Sequence, residues 1–238
     1  MDLPEHGHSQ AEIDARLSAP RGRGNLGDAV YGAIDGSVTT FAIVAGVAGA
    51  GLPPMIIVAL GVANVLSDGF SMAAGNYSAT KAELDDTRRL RAVEERHIRL
   101  DPEGERRELR AILSQKGLSG ETLDSAVDQI ASHRATWIDT MLEGEYGIGS
   151  VDPHPLRAAL VTFAAFLLAG IVPLIPFLLS LGQSFLISSV LTLTTFFAIG
   201  TAKSLWSLSP WWRSGLETLA IGGTAAGIAY WAGTLFNV

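Results

Sequence analysis

The sequence predicts an all-α membrane protein: five transmembrane helices, with a cytosolic helical module between spans two and three. Three observations carry that prediction. Hydrophobic residues make up 48% of the chain and mean hydropathy is +0.30. Five apolar runs, at residues 29–51, 55–74, 156–181, 185–205 and 212–236, approach or exceed the roughly 20 residues that a helix needs to cross a ~30 Å hydrocarbon layer. Charge is instead concentrated in one stretch, residues 81–151, which holds no run of that length.

Residues 1–25 read as a mobile cytosolic arm with a short helix near 9–17, because the stretch is polar and carries Pro4, Pro20 and several glycines. No compact apolar core precedes a small-residue cleavage site, so a standard signal peptide is not expected. His6 and His8 read as part of a solvated tail. Residues 26–80 form spans one and two, joined by the tight turn Leu52-Pro53-Pro54. Span two is expected to run on into the polar stretch, because residues 78–100 contain neither Pro nor Gly.

The module occupies residues 81–151. Asp101 suits an N-cap and Pro102 the first helical position, so one helix stops there and another starts. That helix ends near Gly117, Ser119 caps a third to about Ser132, and a fourth runs over 134–146. Residues 152–238 return to the membrane. Pro173 and Pro176 interrupt span three, which is tolerable only where neighbours satisfy the freed carbonyls. Span five carries Gly222, Gly223, Ala226 and Gly227, small residues that permit close helix approach.

Lys and Arg set the orientation. Arg16, Arg21 and Arg23 precede span one, the module is rich in both types, and Lys203 and Arg213 flank the link between spans four and five. The links at 52–54 and 182–184 carry no charge. The N-terminus and module are therefore expected in the cytosol, and the C-terminus outside. The compact chain and the lack of a transit-type N-terminus suggest a bacterial plasma membrane.

Composition also excludes classes. A net charge of −7 does not suit nucleic acid. The chain has no cysteine, which excludes disulfides, thiolate zinc sites and Cys nucleophiles. No prosthetic group is expected.

Polar groups inside apolar spans are costly unless they face a partner, an ion or water. Asp28 and Asp35 lie seven residues apart in span one and share a helix face. Asn64, Asp68 and Met72 recur every four residues in span two, again on one face. Two facing helices with acids, an amide and a thioether look like a cation path. The plain alternatives are that Asp28 caps span one at the interface, and that Asp35 and Asp68 are buried structural acids. An intramembrane aspartyl protease would also place two aspartates on neighbouring spans, but gives Met72 no role. A non-transporting receptor or anchor explains the module and leaves the acids unexplained.

In the module, Glu94 and His97 are three apart, Glu105 and Glu108 three apart, and Met141 and Glu145 four apart. Each pair projects from one helix face. Such pairs are also what a salt-bridged, solvated helix face presents, and a methionine is more often core than ligand.

The segments DGSVTTFAIVAGVAGAG and SDGFSMAAGNYSATKAE, then WIDTMLEGEYG, GIVPLIPF, AKSLWS and RSGLETLAIGG, resemble the vacuolar iron transporter family. The resemblance spans nearly everything after about residue 25. It implies five transmembrane helices, a cytosolic helical metal-binding module after the second, and a homodimer. It implies export of Fe²⁺, in some members Mn²⁺, from the cytosol in exchange for protons. By position it assigns the transport pathway to Asp28, Asp35 and Met72, with Asn64 and Asp68 beside them. It assigns module ligands to Glu94, His97, Glu105, Glu108, Met141 and Glu145.

The chain departs from the plant pattern, which has glutamate at His97, a second methionine at Leu142 and a membrane glutamate at Asn64. Here the acid falls one turn on, at Asp68. Carboxylate, imidazole and thioether together favour first-row ions over Mg²⁺ or Ca²⁺. Fe²⁺, Mn²⁺, Co²⁺ and Zn²⁺ are the candidate substrates and module ligands. The expected partners are those ions, protons, the lipid bilayer and a second copy of the chain.

Overall fold

A computed structural model describes residues 9–18, 25–149 and 154–236. The rest of the expected N-terminal arm, with His6, His8, Arg21 and Arg23, lies outside the described residues. Every regular element among the described residues is helical. The first, α1 (Gln10–Ser18), matches the short helix expected in the arm. The chain divides into two compact units, one of residues 24–80 and 154–238, the other of 1–23 and 81–153.

In the first unit, α2 (Leu26–Gly49) is the organising helix: α7 (Pro155–Gly170), α9 (Ser184–Lys203) and α10 (Trp211–Thr234) all pack against it. Glycine sets how close they come. A Cβ at Gly32 would overlap the carbonyl of Thr162, and one at Gly36 the carbonyl of Phe166, both on α7. On α10, a Cβ at Gly233 would overlap Gly46 of α2. Backbones this near are the usual small-residue mode of helix association in lipid.

After α2, a left-handed Gly51 (φ +70°) turns the chain and Pro54 opens α3 (Pro54–Leu100), one unbroken helix of 47 residues. The expected continuation of span two into the polar stretch is therefore found. Phe41, Val44, Val65, Leu174 and Phe177 form the buried apolar centre of this unit. Outward, large apolar side chains stand bare: Leu168 is 73% exposed and Phe70 69%. An apolar exterior of this kind suits hydrocarbon rather than water.

Span three breaks where its prolines predict. α7 stops at Gly170, a 3-10 turn covers Val172–Leu174, and α8 (Ile175–Leu178) follows. α9 reaches into the break: Ser188 Oγ donates to the Pro173 carbonyl at 2.7 Å, and Ser184 Oγ adds a second donor at 3.2 Å to the Pro176 carbonyl, which already accepts from the Leu181 N–H at 3.0 Å.

Among the described residues, four helical segments are long and apolar enough to cross a membrane: Leu26–Gly49, Pro54–Leu100, Pro155–Leu178 and Ser184–Lys203. Five were expected. α10 is long enough at 24 residues, but Arg213, Glu217, its hydroxyl residues and its glycines dilute its apolarity.

The second unit contains the distal part of α3, α4 (Pro102–Gln115), α5 (Gly120–Ser132) and α6 (Arg134–Tyr146). Leu90, Ile98, Leu109, Leu113, Trp137 and Met141 are among its core residues. Asp101 caps α4 as expected, accepting from the Gly104 N–H at 2.9 Å. Ser119 occupies the cap position of α5, yet its side chain makes no capping bond. Arg106 pairs with Asp128 at 2.6 Å, and Arg110 with Asp124, tying α4 to α5. Gly147 closes α6 with a left-handed φ of +66°.

Candidate functional site: membrane acids and a carboxylate cluster

The membrane acids come first. Asp35 is half-buried on α2, and Asp68 on α3 is exposed. Thr39, one turn on from Asp35, donates to the Asp35 backbone carbonyl at 2.8 Å. Its oxygen accepts from Asn64 Nδ2 at 3.4 Å, so the expected polar face of α2 meets that of α3. Met72 is half-buried one turn beyond Asp68. Asp28 lies in the first turn of α2, where Asn25 holds the cap position. It accepts from Asn76 Nδ2 at 2.9 Å. It is thus bonded across to α3 and is not an interfacial cap alone.

The module brings carboxylates together. Glu94 on α3 is wholly buried. One of its oxygens accepts from the Tyr146 hydroxyl at 3.0 Å, and Oε2 has no hydrogen-bond partner. Glu105 on α4 is also buried, its Oε1 lies 3.5 Å from His97 Nδ1, and its Oε2 is likewise without a partner. Burial, then the charges of Glu94, Glu108 and Glu145, push the Glu105 carboxyl up to about 7. Burial and the charges of Glu94 and Glu108 raise Glu145 as well, opposed by the Tyr146 hydroxyl and His97. Burial and the bond to Glu94 raise Tyr146 in turn.

Glu94, His97, Glu105, Glu108 and Glu145 therefore share one electrostatic neighbourhood. Among the described residues, no three His, Asp or Glu side chains stand ready-set around one ion. The donor chemistry fits a proton or a cation, since two buried carboxylate oxygens lie beside further acids with no fixed donor, and a proton on Glu105 can bridge it to Glu94. Met141 is fully buried in the module core, as is Leu142, where the plant pattern has methionine.

Sequence reasoning missed Tyr146, Asn76 and Thr162. Asn76 had a signal: it continues the four-residue step of Asn64, Asp68 and Met72. Thr162 and Tyr146 had none, because their partners lie 86 and 52 residues away.

The pattern of the VIT family matches residues 26–234. Among curated relatives, "Vacuolar iron transporter 1" of Arabidopsis thaliana is 32% identical over 206 residues, covering 85% of this chain and 82% of its own length. Its counterpart in Oryza sativa subsp. japonica is 31% identical with the same coverage. "Vacuolar iron transporter" of Toxoplasma gondii is 33% identical over 221 residues, 88% of this chain and 73% of that protein. These relatives come from plants and a parasite and are vacuolar by name, which lends no support to the expectation of a bacterial-type member. With several membrane-length apolar helices and a family pattern matching from α2 to the end of α10, the chain is a membrane protein that belongs to the VIT family.

Proposed function

We propose that the chain transports divalent metal, Fe²⁺ foremost and Mn²⁺ second, out of the cytosol in exchange for protons. The observation that carries this reading is the polar contact between two membrane-length helices, where Asn64 of α3 donates to Thr39, one turn from Asp35 of α2. Acids on such a face of an apolar span are costly unless a cation or proton meets them. The relatives are transporters by name, which supports transport and favours neither a protease nor a receptor. The chain is a transporter, not an enzyme.

In this mechanism the module collects metal. Its carboxylates draw a cation, which displaces the Glu105 proton and relieves their repulsion. Glu94, His97, Glu105, Glu108 and Glu145 supply oxygen and imidazole donors, and Met141 a thioether. The ion then passes Asp28 to Asp35, where Met72 replaces part of its water shell. Asp68 takes the proton that Asp35 gives up. Softness of the Met72 thioether favours Fe²⁺ over harder ions. Five spans are needed to leave the module in the cytosol and the C-terminus opposite, with α10 as the fifth. Two copies meet at a two-fold axis, each lending Asp35 to one path.

The test is Fe²⁺ or Co²⁺ transport into proteoliposomes with a pH dye inside. Asp35→Asn should abolish both metal and proton movement while the purified protein keeps its helix content. Asp68→Asn should suppress proton movement more than metal binding. Wild-type fluxes in Asp35→Asn would defeat the mechanism.

A further inference from the structure

Asn76 joins three helices of the membrane unit. It lies on α3, four residues beyond Met72 and eight beyond Asp68, hence near the same face. Its Nδ2 donates to Asp28 Oδ1 on α2 at 2.9 Å and to Thr162 Oγ1 on α7 at 2.7 Å. Thr162 is fully buried and its own hydroxyl donates to the Ala158 carbonyl at 3.0 Å, so toward Asn76 its oxygen only accepts. The Asn76 carbonyl oxygen accepts from Thr80 Oγ1 at 3.4 Å. Every direction in this chain is thereby set: the amide must show its two N–H groups to Asp28 and Thr162. The anchor is rigid, because Gly32 of α2 lies directly against the Thr162 backbone.

A carboxylate tied through one oxygen loses rotamer freedom and presents the other oxygen in a defined direction. We propose that Asn76 is the positioning residue for Asp28. It fixes Oδ1 against the α7 anchor, so that Oδ2 meets an entering divalent cation without a prior search of rotamers. This rests on the reading of Asp28 as a pathway acid. The amide makes no contact with the metal itself. Its effect belongs to capture of the ion at the start of α2, and not to passage at Asp35.

The experiment is Co²⁺ transport by full-length protein in liposomes, comparing wild type, Asn76→Leu, Asp28→Asn, the double variant Asp28→Asn with Asn76→Leu, and the reversed pair Asp28→Asn with Asn76→Asp. Loss of a charge-assisted hydrogen bond corresponds to about tenfold. Asn76→Leu should therefore raise KM for Co²⁺ by that factor, with kcat within about twofold. Adding Asn76→Leu to Asp28→Asn should change nothing more, since the two act as one unit. In the reversed pair the amide at 28 can donate to the carboxylate at 76 once the Thr162 hydroxyl turns from the Ala158 carbonyl to donate there too, so part of the thermal midpoint lost in Asn76→Leu should return while KM stays raised. This arm tests the idea even where Asn76→Leu folds poorly.

An unchanged KM in well-folded Asn76→Leu overturns the inference, as does a second tenfold loss on top of Asp28→Asn, or a wild-type KM in the reversed pair. If Asp28→Asn alone transports like wild type, the pathway reading of Asp28 fails and takes the inference with it. Impaired Asp28→Asn beside unimpaired Asn76→Leu sinks only the inference.

Discussion

Glu105 shows what one side chain can report about the module. Its carboxyl is raised from an ordinary 4.5 to about 7 by burial and by the neighbouring acids. The folded state therefore holds a proton that the unfolded chain has already lost between those two values. Stability from this group is fully present below about 4.5 and is lost as pH rises to about 7. Metal-free protein in detergent should accordingly unfold at a lower temperature at pH 7.5 than at pH 5. Glu105→Gln, neutral at all pH, should flatten that dependence and unfold later than wild type at pH 7.5. Metal binding must run the opposite way, because the ion competes with the proton. Apparent Co²⁺ affinity should fall about tenfold per pH unit below 7 for each proton displaced. Titration calorimetry at three pH values reads this directly, and an affinity independent of pH would remove Glu105 from the ligand set.

At the scale of the element, two helices depend on contacts their own sequences do not contain. At the broken third span, Ser188 of α9 donates to the Pro173 carbonyl. Ser188→Ala should cost about 1 kcal/mol in thermal unfolding, typical of a polar side-chain bond between membrane helices. Ser189→Ala is the control. Its hydroxyl bonds within α9, to the Phe185 carbonyl, on the exposed face, and its loss should stay within about 0.5 kcal/mol. Glycine matters by its surroundings rather than its type. Gly36→Ala would drive a methyl group into the Phe166 carbonyl and should cost about 1–3 kcal/mol or prevent folding. Gly223→Ala meets nothing within 4 Å and should be neutral or slightly stabilising. Equal stability of the two alanine variants would contradict the close α2–α7 approach.

For the whole molecule, the decisive question is whether α10 crosses the membrane. Its ends argue for it. Trp211 and Trp212 stand with Arg213 at one end, Arg213 lying 5.1 Å from the Trp212 ring centroid. Tyr230 stacks with Phe185 near the other end. Aromatic groups in this arrangement mark the two membrane interfaces. In whole cells, a cysteine at Leu235 should label with an impermeant maleimide from outside, as should one at Leu52. One at Glu121 in the module should label only after permeabilisation. A Leu235 cysteine protected until permeabilisation would leave four spans and return the C-terminus to the cytosol.

Much of this protein was legible in its sequence because the determinants are local. Length and apolarity place α2, α3, α7 and α9. Asp101-Pro102 and Gly147 stop and start helices through their own backbone preferences. The four-residue step through Asn64, Asp68 and Met72 predicts one polar face. Other features needed the tertiary structure, because identical residue types acquire different properties from neighbours distant in sequence. Glu94 and Glu108 look alike on paper. Packing of α3 against α6 buries the first beside Tyr146 and leaves the second in solvent. Met141 reads more readily as core than as ligand from spacing alone, and only the fold shows its side chain fully buried. No spacing rule links Asp28 to an amide 48 residues away. That bond exists because glycines let α2 and α7 touch, and α3 lies where Asn76 reaches both.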